Sequence, residues 1–169
     1  MFARTARLTL RPGWPEDAPA LTRAIAHEDV AMRLARLPWP YTQADAEAWL
    51  DTPPDDDNHS LLIFAHDRGD APELVGGTGL HPNGDDLEIG YWLTPGAWGR
   101  GYATEAARAV VGMARHALGR RRLVSGHFVD NPASGRVLRK LGFAQTGVEK
   151  RNCLARGEQV DCLTFAIAL

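Results

Sequence analysis

The chain has 169 residues, 44% hydrophobic and 24% charged, a balance that suits one globular domain spanning 1–169 with a full core. A formal net charge of −2 gives no general drive toward nucleic acid or an anionic membrane surface. No apolar run reaches the roughly 18 residues of a membrane span, and Met1-Phe2-Ala3-Arg4 leads into no apolar signal region, so a cytoplasmic protein is expected.

In chain order, Arg7-Leu8-Thr9-Leu10-Arg11 alternates polar and apolar and stops at Pro12, which predicts a first strand. Glu16 to His27 predicts a short amphipathic helix with acidic residues at its start, as the helix dipole prefers. Leu37-Pro38-Trp39-Pro40-Tyr41 brackets aromatic side chains with prolines and cannot be regular helix. Thr42 and Asp45 have the spacing of a capping box, starting a helix that ends near Trp49-Leu50. Pro53 to Asn58 reads as a solvated loop, its acidic triplet lacking the partner spacing of a metal site. Leu61–Ala65 and Leu74–Leu80 are predicted strands, and Asn83-Gly84-Asp85-Asp86 turns into a third, Leu87–Leu93.

A turn at Thr94-Pro95-Gly96 leads to Trp98-Gly99-Arg100-Gly101-Tyr102-Ala103-Thr104 and a helical pattern from about Ala103 to Leu118. Gly119 falls where a left-handed C-terminal cap belongs, and Arg120 to Arg122 suit a helix C-terminus better than a nucleic-acid patch. Arg122–Val129 is a predicted strand, and Asn131-Pro132 marks a helix start that runs to Leu141 and is closed by Gly142. Two last strands, about Ala144–Cys153 and Gln159–Ala168, meet at Ala155-Arg156-Gly157-Glu158. Cys153 and Cys162 flank that turn and are expected as free thiols.

A strand feeding a glycine-broken turn at a helix N-terminus makes an anion cradle, because the first helical N–H groups lack partners and glycine lets a ligand approach. The plainer alternative is a tight connection and nothing more. A Walker A loop would need Gly-Lys-Ser/Thr, which is absent. A dinucleotide fingerprint counted from Gly99 meets Thr104 at its sixth position and arginines where the acidic ribose partner should stand. A coenzyme A diphosphate site is the third option, each charge–dipole contact contributing about 0.3–1 kcal/mol.

Five stretches in order carry a resemblance to a known family. They are Arg7–Pro12; Pro40-Tyr41-Thr42 with Asp45-Ala46 and Trp49-Leu50; Glu88-Ile89-Gly90-Tyr91-Trp92-Leu93; Gly99-Arg100-Gly101-Tyr102-Ala103-Thr104-Glu105-Ala106; and Asn131, Ser134 and Leu141-Gly142-Phe143. Together they resemble the GNAT N-acetyltransferase superfamily, and within it the ribosomal-protein N-terminal acetyltransferases (Rim-type). The resemblance implies an α/β (α+β) fold: a mixed, mostly antiparallel sheet of about seven strands, flanked by helices and splayed at the cofactor strand. It also implies acetyl-CoA as cosubstrate and no metal. The acceptor is an amine on a protein N-terminus or a small molecule, and a homodimer and a catalytically silent CoA-binding module both stay open. Two positions depart from the family: Trp98 stands where Gln or Arg usually begins the loop, and Leu138 where a tyrosine acid is common.

The implied reaction is attack of a neutral amine on a thioester. The amides of Gly99, Arg100, Gly101, Tyr102, Ala103 and Thr104 would hold the phosphates, and a backbone N–H at Trp92 or Leu93 the thioester oxygen. Gly90 is compatible with a bulge opening that strand, or with making room for a neighbour. Glu88 is the candidate base and His81 its rival. Deprotonating a lysine amine at neutral pH costs about 4–5 kcal/mol and an α-amine only about 1, so a modest base suits an N-terminal amine. Asn131, Ser134 and Leu138 share a helix face; Ser134 becomes the candidate acid or thiolate stabiliser, and Asn131 a pantetheine contact or simply an N-cap. Trp39, Tyr41 and His81 are the candidate acceptor residues, with a hydrophobic staple as the alternative role for Trp39 and Tyr41.

Overall fold

The computed structural model describes residues 1–52 and 58–169; the acidic triplet Asp55–Asp57 lies outside the described residues. An open eight-stranded sheet has the order β1-β2-β3-β4-β5-β6-β8-β7. Its strands are β1 Ala3–Arg4, β2 Leu8–Arg11, β3 His59–Ala65, β4 Glu73–Asn83, β5 Asp86–Leu93, β6 Arg122–Phe128, β7 Ala144–Cys153 and β8 Glu158–Ala168. The strand beyond the seven expected is the two-residue β1, which lacks alternation long enough to register as a pattern. Every neighbouring pair is antiparallel except β5 and β6.

Helices α1 Ala18–Ile25, α2 Glu28–Ala31 and α3 Gln43–Leu50 cover one face; α4 Tyr102–His116 and α5 Pro132–Lys140 cover the other. The single helix expected over Glu16–His27 is broken at both ends. Asp17 turns back to accept from the Trp14 N–H at 2.8 Å and to pair with Arg11, which tightens Pro15–Asp17 into a 3₁₀ turn. His27 is extended at φ −129° and ψ 130°, so α2 starts afresh. The larger core lies between β2–β6 and α4, where Ala106, Ala107, Val110 and Ala114 form a buried stripe of small side chains that brings the helix close to Leu80, Ile89 and Leu123. The second core joins Leu62 and Leu74 to Leu21, Ile25 and Ala46.

The Thr42–Asp45 capping box forms as expected: Thr42 N–H donates to Asp45 Oδ2 at 2.8 Å, and Asp45 N–H to Thr42 Oγ1 at 3.4 Å. Gly119 and Gly142 take positive φ of 61° and 94° after their helices. Cys153 and Cys162 are free and buried.

What positions the site is the quarrel between β5 and β6. They pair only at Leu87–Leu123 and Glu88–Val124, after which the strands part, while β5 stays in register with β4 to Leu93. That β4–β5 register is unbroken, so Gly90 makes no bulge. The splay comes from divergence of β6, and Gly90 instead leaves open space, the nearest atom to a Cβ there being His81 Cδ2 at 4.0 Å.

Candidate active site

Backbone alternation decides which groups of β5 face the opening. Thr94 N–H donates to Val75 O on β4, and Ile89 O accepts from Ser125 Oγ on β6 at 2.9 Å. Ile89, Tyr91 and Leu93 therefore turn their N–H and C=O away from β4, and Gly90 and Trp92 turn theirs toward it. Of the expected pair Trp92 and Leu93, only Leu93 offers an N–H to the opening. Trp92 packs its indole across Gly77, where a Cβ would sit 2.5 Å from Nε1, and joins the second core. The Leu93 carbonyl accepts from Trp98 Nε1 at 2.9 Å, and the Arg33 guanidinium lies 5.1 Å over the Trp98 ring. Trp98 thus closes the end of β5, its indole N–H spent on the Leu93 carbonyl.

Beyond Trp98, Gly99 and Gly101 take positive φ of 75° and 81°. Gly101 is the N-cap of α4, and among the described residues no side chain caps that end. Gly99 has open space where a Cβ would be. The amides of Tyr102, Ala103 and Thr104 thus start a 15-residue helix that no side chain among the described residues caps, which fits a diphosphate. The Tyr102 side chain takes no part: it is fully buried, with its hydroxyl donating to Asp67 at 2.6 Å. Burial, and after it that bond, raises the phenol pKa. Arg7, legible in the sequence only as the start of a strand, organises this bend. Its Nη1 donates to the Arg100 carbonyl at 3.0 Å, its Nε to Glu105 Oε2 at 2.8 Å, and its guanidinium lies 4.7 Å over the Tyr102 ring.

Across the opening, Asn131 is the N-cap of α5 but its side chain makes no capping bond, and Ser134 N–H donates to the Asn131 carbonyl at 3.2 Å. Leu138 is fully buried. Ser134 is met from the other wall by Tyr91, whose hydroxyl lies 3.0 Å from the Ser134 carbonyl and 2.9 Å from its Oγ. Burial pushes the Tyr91 phenol up to about 12, against a smaller lowering by the Ser134 hydrogen bond.

Glu88 and His81 stand directly across from one another on β5 and β4. Glu88 is committed: Oε1 receives Arg151 Nη1 at 2.5 Å and Oε2 receives Asn83 Nδ2 at 2.8 Å. Burial alone would lower the Arg151 pKa, but its bond to Glu88 raises it. His81 is less engaged. Its Nδ1 lies 2.8 Å from Asn58 Oδ1, an acceptor, so Nδ1 carries the hydrogen and Nε2 keeps its lone pair. Burial lowers the His81 pKa, Arg36 lowers it further and Glu88 partly offsets both, which keeps the imidazole neutral at neutral pH.

The acceptor residues divide. Tyr41 packs with Ala46 in the second core, as the residue before the Thr42 cap should in a hydrophobic staple, and burial followed by Asp45 raises its phenol to about 12. Trp39 is 38% exposed. A cavity of about 370 Å³ lies instead between α2 and the segment entering α5, lined by Asp29, Met32, Arg33, Asp130 and Arg156. Arg156 pairs with Asp130 at 2.8 Å and donates to the Met32 carbonyl, tying the β7–β8 hairpin to the chain after α2. Among the described residues no group of three or more His, Cys, Asp or Glu is placed to hold a metal, and no helix is long and apolar enough to cross a membrane.

A splayed mixed sheet beside an uncapped, glycine-led helix defines a class of acyl-transfer domains. The acetyltransferase (GNAT) domain model matches residues 7–144, and the chain belongs to that family. An uncharacterized N-acetyltransferase of Bacillus subtilis, YoaA, is 36% identical over 104 residues, covering 60% of this chain and 59% of its own length. Among solved structures, a GNAT-family acetyltransferase from Bacillus anthracis superposes with a TM-score of 0.85 at 24% identity, over 99% of this chain and 98% of that one. RimL, a ribosomal L7/L12 α-N-protein acetyltransferase in complex with coenzyme A, gives 0.80 at 21% identity over 100% and 98%.

Proposed function

We propose that this chain transfers the acetyl group of acetyl-CoA to a primary amine of α-amine type, on a protein N-terminus or a small molecule. The observation that carries the reading is the uncapped start of α4 at Gly101, set beside the gap between β5 and β6. The thioester supplies an activated acetyl carbon, and the protein's work is to place it and manage charge. Amides of Gly99 to Thr104, held by Arg7 through Arg100, take the diphosphate. Asn131, free of capping, is the contact for the pantetheine arm. The Leu93 N–H faces the opening as a donor to the thioester oxygen. Ser134 stabilises the departing sulfur.

Glu88 has both carboxylate oxygens engaged, by Arg151 and Asn83, and the base in this reading is His81, oriented by Asn58. The space over Gly90 at the Cδ2 edge of His81 is where the amine docks. A neutral imidazole of lowered pKa is a weak base. It suits an amine near 7.8, about 1 kcal/mol from deprotonation at neutral pH, far better than a lysine. The mixed-charge cavity at Asp29, Arg33, Asp130 and Arg156 receives the rest of the acceptor. Calorimetry with coenzyme A, followed by acetyl-CoA turnover over a panel of short peptides and free amines, tests the reading. Binding with transfer to α-amines is expected. No binding ends it, and binding without transfer to any amine leaves a CoA-binding module.

A further inference from the structure

The opening between β5 and β6 is crossed twice beyond its last paired rung. Ser125 Oγ reaches the Ile89 carbonyl at the base, and Tyr91 reaches Ser134 further out. The second crossing is peculiar in its hydrogen count. A phenol has one hydrogen, yet the Tyr91 hydroxyl lies within bonding distance of two Ser134 oxygens, the carbonyl at 3.0 Å and Oγ at 2.9 Å. If the phenol hydrogen goes to the carbonyl, the phenol oxygen stays open to accept the serine hydrogen, and with that bond made the pair presents no donor. If it goes to Oγ, the serine hydrogen is released to a third group. An anion in the opening selects the second arrangement, because hydrogen bonds to ionised acceptors are about twice as strong as neutral ones.

We propose that Tyr91 is a positioning residue that turns the Ser134 hydroxyl hydrogen into the opening, where it stabilises the thiolate released on acetyl transfer. The inference rests on the acetyl-transfer reading above. Leu138, one turn along α5, is fully buried and has no hydrogen to give, so the stabilising donor comes from a bridge between the two walls. In the step, the amine nitrogen bonds to the acetyl carbon, the carbon–sulfur bond breaks, and its electron pair stays on sulfur. The amine proton goes to the base. Tyr91 and Ser134 keep their own hydrogens, and their two hydrogen bonds line up toward the sulfur, each polarising the next. A phenol pushed up to about 12 by burial remains the donor throughout.

The test needs no acceptor. Affinities for coenzyme A and for desulfo-CoA are measured by calorimetry from about pH 6 to 10, bracketing a thiol pKa near 8.5 by analogy with cysteine. In the wild-type chain CoA should gain about tenfold over desulfo-CoA at the alkaline end, equivalent to a bound thiol titrating about one unit low. Tyr91→Phe and Ser134→Ala should each lose most of that gain, and the double variant no more than either, while desulfo-CoA affinity stays within error of wild type and the thermal midpoint falls by only a few degrees. A Tyr91→Phe chain with the wild-type alkaline gain overturns the proposal, whether or not Ser134→Ala loses it. Equal losses for CoA and desulfo-CoA in Tyr91→Phe make the tyrosine a packing residue and also overturn it. Failure of wild type to bind either ligand removes the acetyl-transfer reading itself, an outcome distinct from both.

Discussion

Arg7 and Glu105, 98 positions apart in the chain, meet at 2.7 Å where the end of the β1–β2 turn touches the first turn of α4. Glu105 also accepts from the Arg7 N–H at 2.9 Å and the Thr5 hydroxyl at 2.6 Å, so one carboxylate joins the sheet edge to the candidate phosphate loop. Arg7→Ala removes that anchor and the bond to the Arg100 carbonyl together. The expected loss in coenzyme A affinity is about 0.5–1.5 kcal/mol, roughly a two- to tenfold rise in Kd, read by calorimetry. Arg7→Lys should recover little, since an ammonium cannot span Glu105 and Arg100 at once.

Acid should weaken the fold through the same carboxylate. Burial alone would raise the Glu105 pKa, but bonds from Thr5 and Arg7 bring it below its ordinary 4.5; Asp17, bonded by Arg11 and Trp14, likewise falls below 3.8. Both titrate lower folded than unfolded, so their stabilisation is complete above those ordinary values and drains away as the pH falls through the lowered ones. Urea midpoints at pH 7 and near pH 3 should show the loss, and Glu105→Gln should flatten it.

Gly99 separates binding from folding. An added Cβ there meets nothing within 4 Å, so Gly99→Ala costs the fold only its positive φ, about 1–2 kcal/mol. In the proposed site that open space belongs to the phosphate loop, so a Cβ there should crowd the diphosphate. Coenzyme A affinity should fall by more than the thermal shift explains, and calorimetry beside a melt decides it.

For the base, the pH–rate profile is diagnostic. His81 must be neutral to accept a proton, so kcat/KM should rise with pH through a value below 6.5, the direction in which burial and Arg36 move it. His81→Gln should lower kcat by roughly 10²- to 10⁴-fold and abolish that limb. Glu88→Gln should keep the limb and lower stability, because it leaves Arg151 half-paired with Glu149. An acid limb that vanishes in Glu88→Gln instead returns the base role to the carboxylate.

Gly135 is a packing constraint next to Ser134. A Cβ there would stand 2.6 Å from His127 Nε2, a buried nitrogen with no hydrogen-bond partner among the described residues, on a ring that stacks on Phe165 at 5.4 Å. Gly135→Ala should destabilise by about 1–3 kcal/mol, as overpacked cores do, and lower the thermal midpoint.

Local signals carried the strands, the helix caps and the Gly99–Gly101 bend into legibility, because each is written in residues a few positions apart. The Thr42–Asp45 box and Gly119 needed no tertiary knowledge. The partnerships that decide chemistry are long-range. Tyr91 meets Ser134 across 43 positions and Glu88 meets Arg151 across 63, so neither the buried phenol nor the occupied carboxylate could be read from spacing. Gly90 misled for a related reason: a glycine reports that space is needed, and only the register tells whether the backbone or a neighbour uses it. Trp92 misled through parity, since one residue along a strand reverses which way its amide points.

The slender join between β5 and β6 has a mechanical meaning as well. Five strands on one side and three on the other share two rungs, so the sheet carries a seam down its middle, bridged chiefly by the core beneath α4. Whatever lodges in that seam supplies the missing rungs and acts as mortar. Amide exchange along β6 should therefore slow when the seam is filled, even at residues the guest never touches.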